Sequence, residues 1–394
     1  MTAPTILVTD PEQRAALAAV RSLGSHGYRV VVIGRSTGIA GRSRFCDAVV
    51  TVPSEVPNDP VRFQSAVAAA VTQHGVQVVL PVTDAASRVL LGRHAEVGAR
   101  VAGPSRDAYL RASDKRALLE IAPRCGIRVP RQATMEQPGA DIGVARQFSA
   151  LVVKPSQSVV EVEGRSVGTS VAFVPTANDL TRALEKFPAA AYPLMLQERT
   201  YGVGVGVFLL RHKGKTLLQF GHQRLREKPP AGGVSTYRES IAPPAPLLQS
   251  CEQLLDELGY EGAAMIEFKR DAVTGEHVLM EINARLWGSV QLAVDAGVNF
   301  PLALVQGALG QPFTGLNSAK VGVRSVWELG ELDHMWALLR RSPEQLQLPP
   351  GDKSGLPAVV KALFNRRLGD YPEVFRLSDP MPFFAEFSRW IRAR

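Results

Sequence analysis

The first hundred residues limit the fold most, because short β-rich apolar runs alternate there with longer helical patterns. Ile6-Leu7-Val8 leads into a helical stretch from Pro11 to Ser25. Arg29-Val30-Val31-Val32-Ile33 follows, then Val61 to His74 in helical spacing, then Val76-Gln77-Val78-Val79-Leu80. Near-continuous apolar strands separated by helices read as a parallel sheet covered on both faces. Such sheets bind ligands at the carboxyl ends of their strands, where Gly34-Arg35-Ser36, Pro81-Val82-Thr83-Asp84 and Gly103-Pro104-Ser105 fall. No GxGxxG follows the first strand, so a dinucleotide site is not expected.

With 394 residues, 45% of them apolar, the chain can bury a large core, and disordered or fibrous classes are excluded. Lys plus Arg (45) against Asp plus Glu (37) gives +8, a mild excess that suits anionic ligands without calling for nucleic acid. Three scattered cysteines, Cys46, Cys125 and Cys251, suggest neither a disulfide framework nor a thiolate metal site. There is no apolar run of membrane-spanning length and no charged leader, so a cytoplasmic protein with no membrane partner is expected.

Beyond residue 112 the pattern changes. A helix from Ser113 to Arg124 is expected, with Ser113 as N-cap and Asp114 in its first turn. Leu151-Val152-Val153-Lys154-Pro155 reads as a strand stopped by proline, and the glycine-containing stretch Ser156 to Ser170 as a loop over a ligand. A strand over Val171 to Val174, a helix from Asn178 to Phe187 capped by Thr176 or Asn178, and a strand over Tyr192 to Gln197 follow. Val203 to Arg211 and Lys215 to Gly221 form a hairpin across His212-Lys213-Gly214. Glu227 to Val234 is expected as a loop and Pro243 to Gly259 as a helix. After Gly310 helical patterns dominate, around Trp327 to Arg340 and Pro382 to Arg392.

The segment Ala263 to Arg285 carries the chemistry. A hairpin centred near Thr274 sets Glu267 directly across from Glu281, and strand alternation puts Asn283 on the same face, with Met280 and Ile282 on the other, packing inward. Opposed like charges destabilise a strand pair by up to about 1 kcal/mol, so the arrangement asks for a cation between them. Two carboxylates and an amide oxygen suit magnesium, with manganese as the alternative, leaving positions for phosphate oxygens and water. Lys115, Lys154 and Arg285 add cations from three elements. Lys154, at the end of an apolar strand, is the least expected of them as a solvated residue. The segment His222 to Ser235 holds Arg224 and Arg226, which share a face if the strand continues, and Gly232-Gly233, which let backbone amides approach an oxyanion.

Ser113-Asp114-Lys115, Val152-Val153-Lys154-Pro155, Gln197-Glu198-Arg199-Thr200-Tyr201-Gly202 and Glu281-Ile282-Asn283-Ala284-Arg285 occur in the order used by the ATP-grasp superfamily. Over residues 1–310 the chain resembles its carboxylate-amine ligases, such as carbamoyl phosphate synthetase, biotin carboxylase and D-alanine:D-alanine ligase. The resemblance implies an α/β chain with an open parallel N-terminal α/β domain (1–112) and a two-lobed α+β ATP-grasp unit (113–195 and 196–310), to which the helical patterns after Gly310 add a mostly helical extension (311–394). It implies that Lys115 and Lys154 contact ATP phosphates, and that Gln197, Glu198, Thr200 and Tyr201 hold adenine at the hinge. By the same resemblance Glu267, Glu281 and Asn283 ligate magnesium, Arg285 stabilises the transferred phosphoryl group, and Arg224 and Arg226 reach the acyl phosphate and acceptor. The ribose partner is unassigned, since Val203 and Gly204 occupy the stretch where the family often has an acidic residue. The implied activity is amide formation between a small carboxylate and an amine through an acyl phosphate. A small-molecule kinase or a non-catalytic ATP-binding regulator are the alternatives, and a homodimer is the base-rate assembly.

Overall fold

The computed structural model describes residues 3–53, 58–140, 143, 148, 150–156, 159–162, 165–168, 171–174 and 179–394. Strands β1 (Thr5–Thr9), β2 (Arg29–Gly34), β3 (Ala48–Thr51), β4 (Val76–Leu80) and β5 (Arg100–Val101) form a parallel sheet in the order β3-β2-β1-β4-β5. Helix α1 (Arg14–Ser25) covers the face carrying Ile6, Val8, Val30 and Val32. Helices α2 (Pro60–His74), α3 (Asp84–Leu90) and α4 (His94–Val97) cover the face carrying Leu7, Val31 and Val79. Covering on both faces explains the unbroken apolar runs. Strand β3, absent from the sequence reading, is an edge strand of only four half-buried or exposed residues. The order of connections reverses beside β1, so the chain ends of β1 and β4 meet at the switch point: Thr83 donates to Asp10 (3.1 Å) and opens α3.

Helices α5 (Arg106–Ser113) and α6 (Lys115–Ile121) follow, and correct one expectation. Asp114 is the N-cap of α6, accepting from the amides of Arg116 and Ala117, while Ser113 is the last residue of α5. The carboxylate is the stronger acceptor for two free amides, so the cap falls one residue later.

A second, antiparallel sheet contains β6 (Gln132–Met135), β7 (Leu151–Pro155), β10 (Ala172–Val174) and β11 (Leu194–Glu198) in the order β10-β7-β11-β6; β8 (Val159–Val162) and β9 (Arg165–Gly168) pair as a separate hairpin. That hairpin occupies part of the expected loop Ser156 to Ser170; Gly164 and the joining residues lie outside the described residues, as do the expected caps Thr176 and Asn178 of helix α7 (Leu180–Leu184).

The third sheet runs β16-β15-β12-β13-β14-β17-β18. It is built from β12 (Gly202–His212), β13 (Lys215–Lys228), β14 (Val234–Ile241), β15 (Gly262–Asp271), β16 (His277–Asn283), β17 (Arg324–Val326) and β18 (Tyr371–Pro372). Lys213 and Gly214, both at positive φ (52° and 71°), make the two-residue turn between β12 and β13. Strand β13 extends to Lys228, so the following loop is shorter than expected. Helices α8 (Ala245–Glu257), α9 (Val290–Asp295) and α10 (Phe300–Leu309) pack on this sheet, and α9 and α10 also pack on α1.

The C-terminal segment contains α11 (Glu328–Arg340), α12 (Leu356–Phe364) and α13 (Met381–Arg392), but it also supplies β17 and β18 to the sheet. It is pinned to the N-terminal sheet domain by buried ions. Asp379 accepts from Arg21 Nε (2.8 Å), Ser43 Oγ (2.7 Å) and the Arg44 amide (2.8 Å), and Glu373 pairs with both Arg14 and Arg238. On α13, burial pushes the Glu386 carboxyl up to about 7, although Trp327 Nε1 donates to it (3.1 Å). The folded chain therefore holds this proton more tightly than the unfolded chain, and stability falls as pH rises from about 4.5 to 7, by at most about 3 kcal/mol. Glu386→Gln is expected to raise the melting temperature at pH 8 and leave it unchanged at pH 4; equal shifts at both pH values would contradict this.

Candidate functional site

The three sheets and the C-terminal helices enclose a cleft of about 1710 Å³. Its floor is the face of the third sheet that carries Glu267 and Lys269 on β15. Gly204 on β12 faces the same way, and a Cβ there would meet Arg224 Cδ at 2.6 Å, so glycine lets Arg224 lie across the strand. Arg224 Nη2 reaches Glu267 (2.5 Å) and Nη1 reaches Glu227 (2.8 Å), and Lys269 Nζ reaches Glu227 from the other side (3.0 Å).

The hairpin β15–β16 has the register expected from sequence: Glu267 stands opposite Glu281 and Met265 opposite Asn283. A bulge follows Glu267, so Phe268 pairs with Leu279 and Met280 is the extra residue. This corrects the inward placement of Met280: Leu279 and Ile282 enter the core, while Met280 lines the cleft beside Glu281. Its carbonyl accepts from Lys154 Nζ (3.2 Å). Lys115 Nζ approaches Glu281 Oε2 (3.4 Å), and Asn283 Nδ2 donates to Glu281 Oε1 (3.4 Å).

The two carboxylates differ electrostatically. Burial disfavours charge on both. At Glu267 burial, with Glu281 and Glu227 nearby, outweighs Arg224 and pushes the carboxyl up. At Glu281 the cations Lys115, Lys154 and Arg285 outweigh burial and hold the carboxyl below its ordinary value. Burial also pulls Lys154 down to about 8, against the attraction of Glu281. The result is a chain of alternating charges, Lys269, Glu227, Arg224, Glu267, then Glu281 and Lys115, whose one adjacent pair of like sign is Glu267 and Glu281. A divalent cation there would remove that repulsion and lower Glu267 as well. Among the described residues no group of three or more His, Cys, Asp or Glu is placed to hold a metal alone. Two carboxylates and an amide oxygen fit an ion that keeps several positions for phosphate and water, as magnesium does.

At the end of β11 and just beyond it, Gln197, Glu198, Thr200 and Tyr201 line the cleft. Gln197 is buried and donates to Gln132 Oε1 (2.9 Å), and the Glu198 amide donates to the Arg131 carbonyl (2.8 Å). Arg285 also lines the cleft, and its Nε donates to Asp84 Oδ2 (2.8 Å), tying the end of the strand that carries Glu281 to the first turn of α3. Thus all twelve residues singled out from sequence converge on one region: eleven line the cleft, and Lys115 stands behind Glu281. Two register shifts separate Arg224, Arg226 and Glu227. Arg226 accordingly has different partners from Arg224, pairing with Glu331 of α11 (2.6 Å) and stacking over Tyr237 (4.2 Å).

Sequence reasoning missed several members of the site. Arg199 lies between the rings of Phe173 (4.8 Å) and Tyr201 (4.7 Å), and donates to the carbonyl of Gln347 (2.8 Å). Glu227 and Lys269 complete the charge chain, Asp84 holds Arg285, and His334 of α11 hydrogen-bonds the Glu227 carbonyl (2.6 Å). Glu227 had a local signal, its three-residue spacing from Arg224, and Asp84 had its place at the end of the fourth strand; the others depend on contacts made far along the chain.

Among known proteins, the family model described as ATP-grasp in the biosynthetic pathway with Ter operon matches residues 191–330. The carbamoyl phosphate synthase large chain of Thermotoga sp. (strain RQ2) is 23% identical over 322 residues, covering 75% of this chain; this chain spans only 27% of that relative. The crystal structure of the biotin carboxylase–β-γ-ATP complex from Campylobacter jejuni is similar with a TM-score of 0.64 and 16% identity, over 81% of this chain and 74% of that one. The L-amino acid ligase from Bacillus licheniformis is similar with a TM-score of 0.61 and 15% identity, over 80% and 76% of the two chains. At such identities the structural likeness is one of fold.

Proposed function

We propose that the chain is an ATP-grasp enzyme, an ATP-dependent ligase that joins a carboxylate to an amine through an acyl phosphate, releasing ADP and phosphate. The observation that carries the reading is the single like-charge neighbour pair, Glu267 and Glu281, in an otherwise alternating array. A site for a metal-nucleotide needs just such a gap, flanked by cations that reach phosphate oxygens.

In this reading Gln197 to Tyr201 seat the adenine, with Arg199 packed against the Tyr201 ring behind it. Lys154 orients the phosphates, and Lys115 holds Glu281 in place. Glu267, Glu281 and Asn283 hold magnesium, which when bound neutralises the phosphate oxygens. Arg285, kept rigid by Asp84, faces the transferred phosphoryl group and stabilises the charge that develops there. The carboxylate oxygen of the first substrate attacks the γ-phosphorus and ADP leaves. The amine of the second substrate then attacks the acyl carbon, and the C–O bond to phosphate breaks. Arg224 and the backbone of Gly232-Gly233 stand along the same wall of the cleft, on the side proposed for the acceptor. The chain supplies positioning and charge, the two things phosphoryl transfer most requires.

The test is ATP consumption with magnesium, adding pools of amino acids and small carboxylic acids in pairs. ADP and phosphate released only when carboxylate and amine are both present is the expected result. ADP with a single acceptor and a stable phosphorylated product would replace the ligase with a kinase, and AMP would overturn the mechanism.

A further inference from the structure

The exposed apolar surface of this chain is concentrated in one place. Among the described residues, fourteen of the twenty-one exposed large apolar side chains lie between Leu332 and Ile391, including every exposed aromatic one. They fall in helical stripes: Leu332, Trp336 and Leu339 on α11, Val360, Leu363 and Phe364 on α12, and Met381, Phe384, Phe387 and Ile391 on α13. The stripes on α11 and α13 are joined. Phe387 stacks on Trp390 (6.1 Å between centroids), Arg394 covers both Trp390 (3.7 Å) and Trp336 (5.6 Å), and Arg340 covers the Trp336 ring (4.3 Å). Helix α12 packs against α11. Leu368 and Leu377, on the connecting segments, are almost fully exposed.

The charge around these residues is one-sided. From Leu332 to Arg394 nine lysine and arginine residues are exposed, of which Lys353 and Lys361 line the cleft and Arg367 and Arg394 pair with Glu239 and Asp333; the exposed acids are Glu344 and Asp352, Asp333 and Asp370 are half-buried, and Glu373, Asp379 and Glu386 are buried. A second copy of this chain is a poor occupant, because a two-fold contact would set this cationic surface against itself. The exposed apolar side chains are spread over three helices and two connecting segments, more than one bound peptide or helix would cover. Exposed apolar side chains among arginines that can reach outward suit an anionic lipid surface.

We propose that the outer face of α11, α12 and α13 docks the protein on an anionic membrane surface. This departs from the expectation of no membrane partner, which rested on the lack of a spanning segment; no helix among the described residues is long and apolar enough to cross a membrane. Docking of this kind needs only amphipathic faces. Helix α11 turns Glu331 and His334 towards the cleft and Trp336 outwards, so the docked face lies directly behind the wall of the cleft.

The experiment is co-sedimentation of the full chain with phosphatidylcholine vesicles, with and without phosphatidylserine. Binding only to vesicles containing phosphatidylserine, weakening as salt rises, is expected. Each basic residue near an anionic leaflet contributes roughly a factor of five, so the double change Arg389→Glu and Arg392→Glu should weaken binding about thirtyfold or more. Phe384→Ser with Phe387→Ser should weaken it too; both pairs are exposed, and an unchanged melting temperature separates lost docking from lost folding. Sedimentation with neither vesicle would overturn the proposal and leave the face to an acidic protein. Equal binding to both vesicles, or a dimer in solution that these substitutions break, would also overturn it.

Discussion

Glu281→Gln is expected to lower magnesium-dependent ATP turnover by at least about a hundredfold in a chain that still folds, with a reduced melting temperature because the cations around it lose their counter-charge. Glu281 is the half-buried carboxylate towards which Lys115, Lys154 and Arg285 all contribute, and together they outweigh desolvation and hold it below its ordinary value. Removing its charge leaves those cations facing one another while the side chain keeps its volume and its strand position. Glu267→Gln should have a smaller effect, since Arg224 already neutralises that carboxylate in part. The measurement is steady-state ADP release over a magnesium series, with nucleotide binding determined separately. Full activity in the Glu281 variant would remove that residue from the metal site.

The second large effect concerns stability. Glu373→Gln should destabilise the chain by about 3 to 5 kcal/mol, because it leaves Arg14 and Arg238 without their shared counter-charge in a fully buried position. Burial alone would raise the Glu373 carboxyl, but the two arginines outweigh it and hold the group below its ordinary value. Arg14 also stacks over Trp327 (3.9 Å) and lines the cleft, so the same substitution should weaken substrate binding at that end. Urea denaturation of the variant beside exposed Glu344→Gln gives the comparison; equal stability of the two would show that the ion triad does not join the C-terminal segment to the rest of the fold.

Much of the fold could be read directly. Strands β1, β2 and β4 are buried on both faces, so their apolar runs are unmistakable, and the pairing of Glu267 with Glu281 follows from their symmetry about Thr274. Met280 escaped because a bulge adds one residue without marking the alternation. Strands β17 and β18 escaped because three and two residues carry no periodicity. The convergence of Lys115, Lys154 and the pair Glu281 and Arg285 was legible only through the resemblance, since they come from three separate segments. The roles of Glu331, Glu373 and Asp379 were not legible at all: each is paired with arginines at least a hundred residues earlier, and nothing in the local sequence distinguishes a buried acid from a solvated one.

The ligase reading turns on one atom. If the carboxylate attacks the γ-phosphorus, one of its oxygens must leave with phosphate when the amine closes the bond. Once a substrate pair is found, that carboxylate should be supplied with both oxygens as ¹⁸O and the released phosphate examined by mass spectrometry. One labelled oxygen per phosphate, with ADP as the nucleotide product, is the predicted result. Unlabelled phosphate, or label carried into AMP, would contradict the acyl-phosphate mechanism.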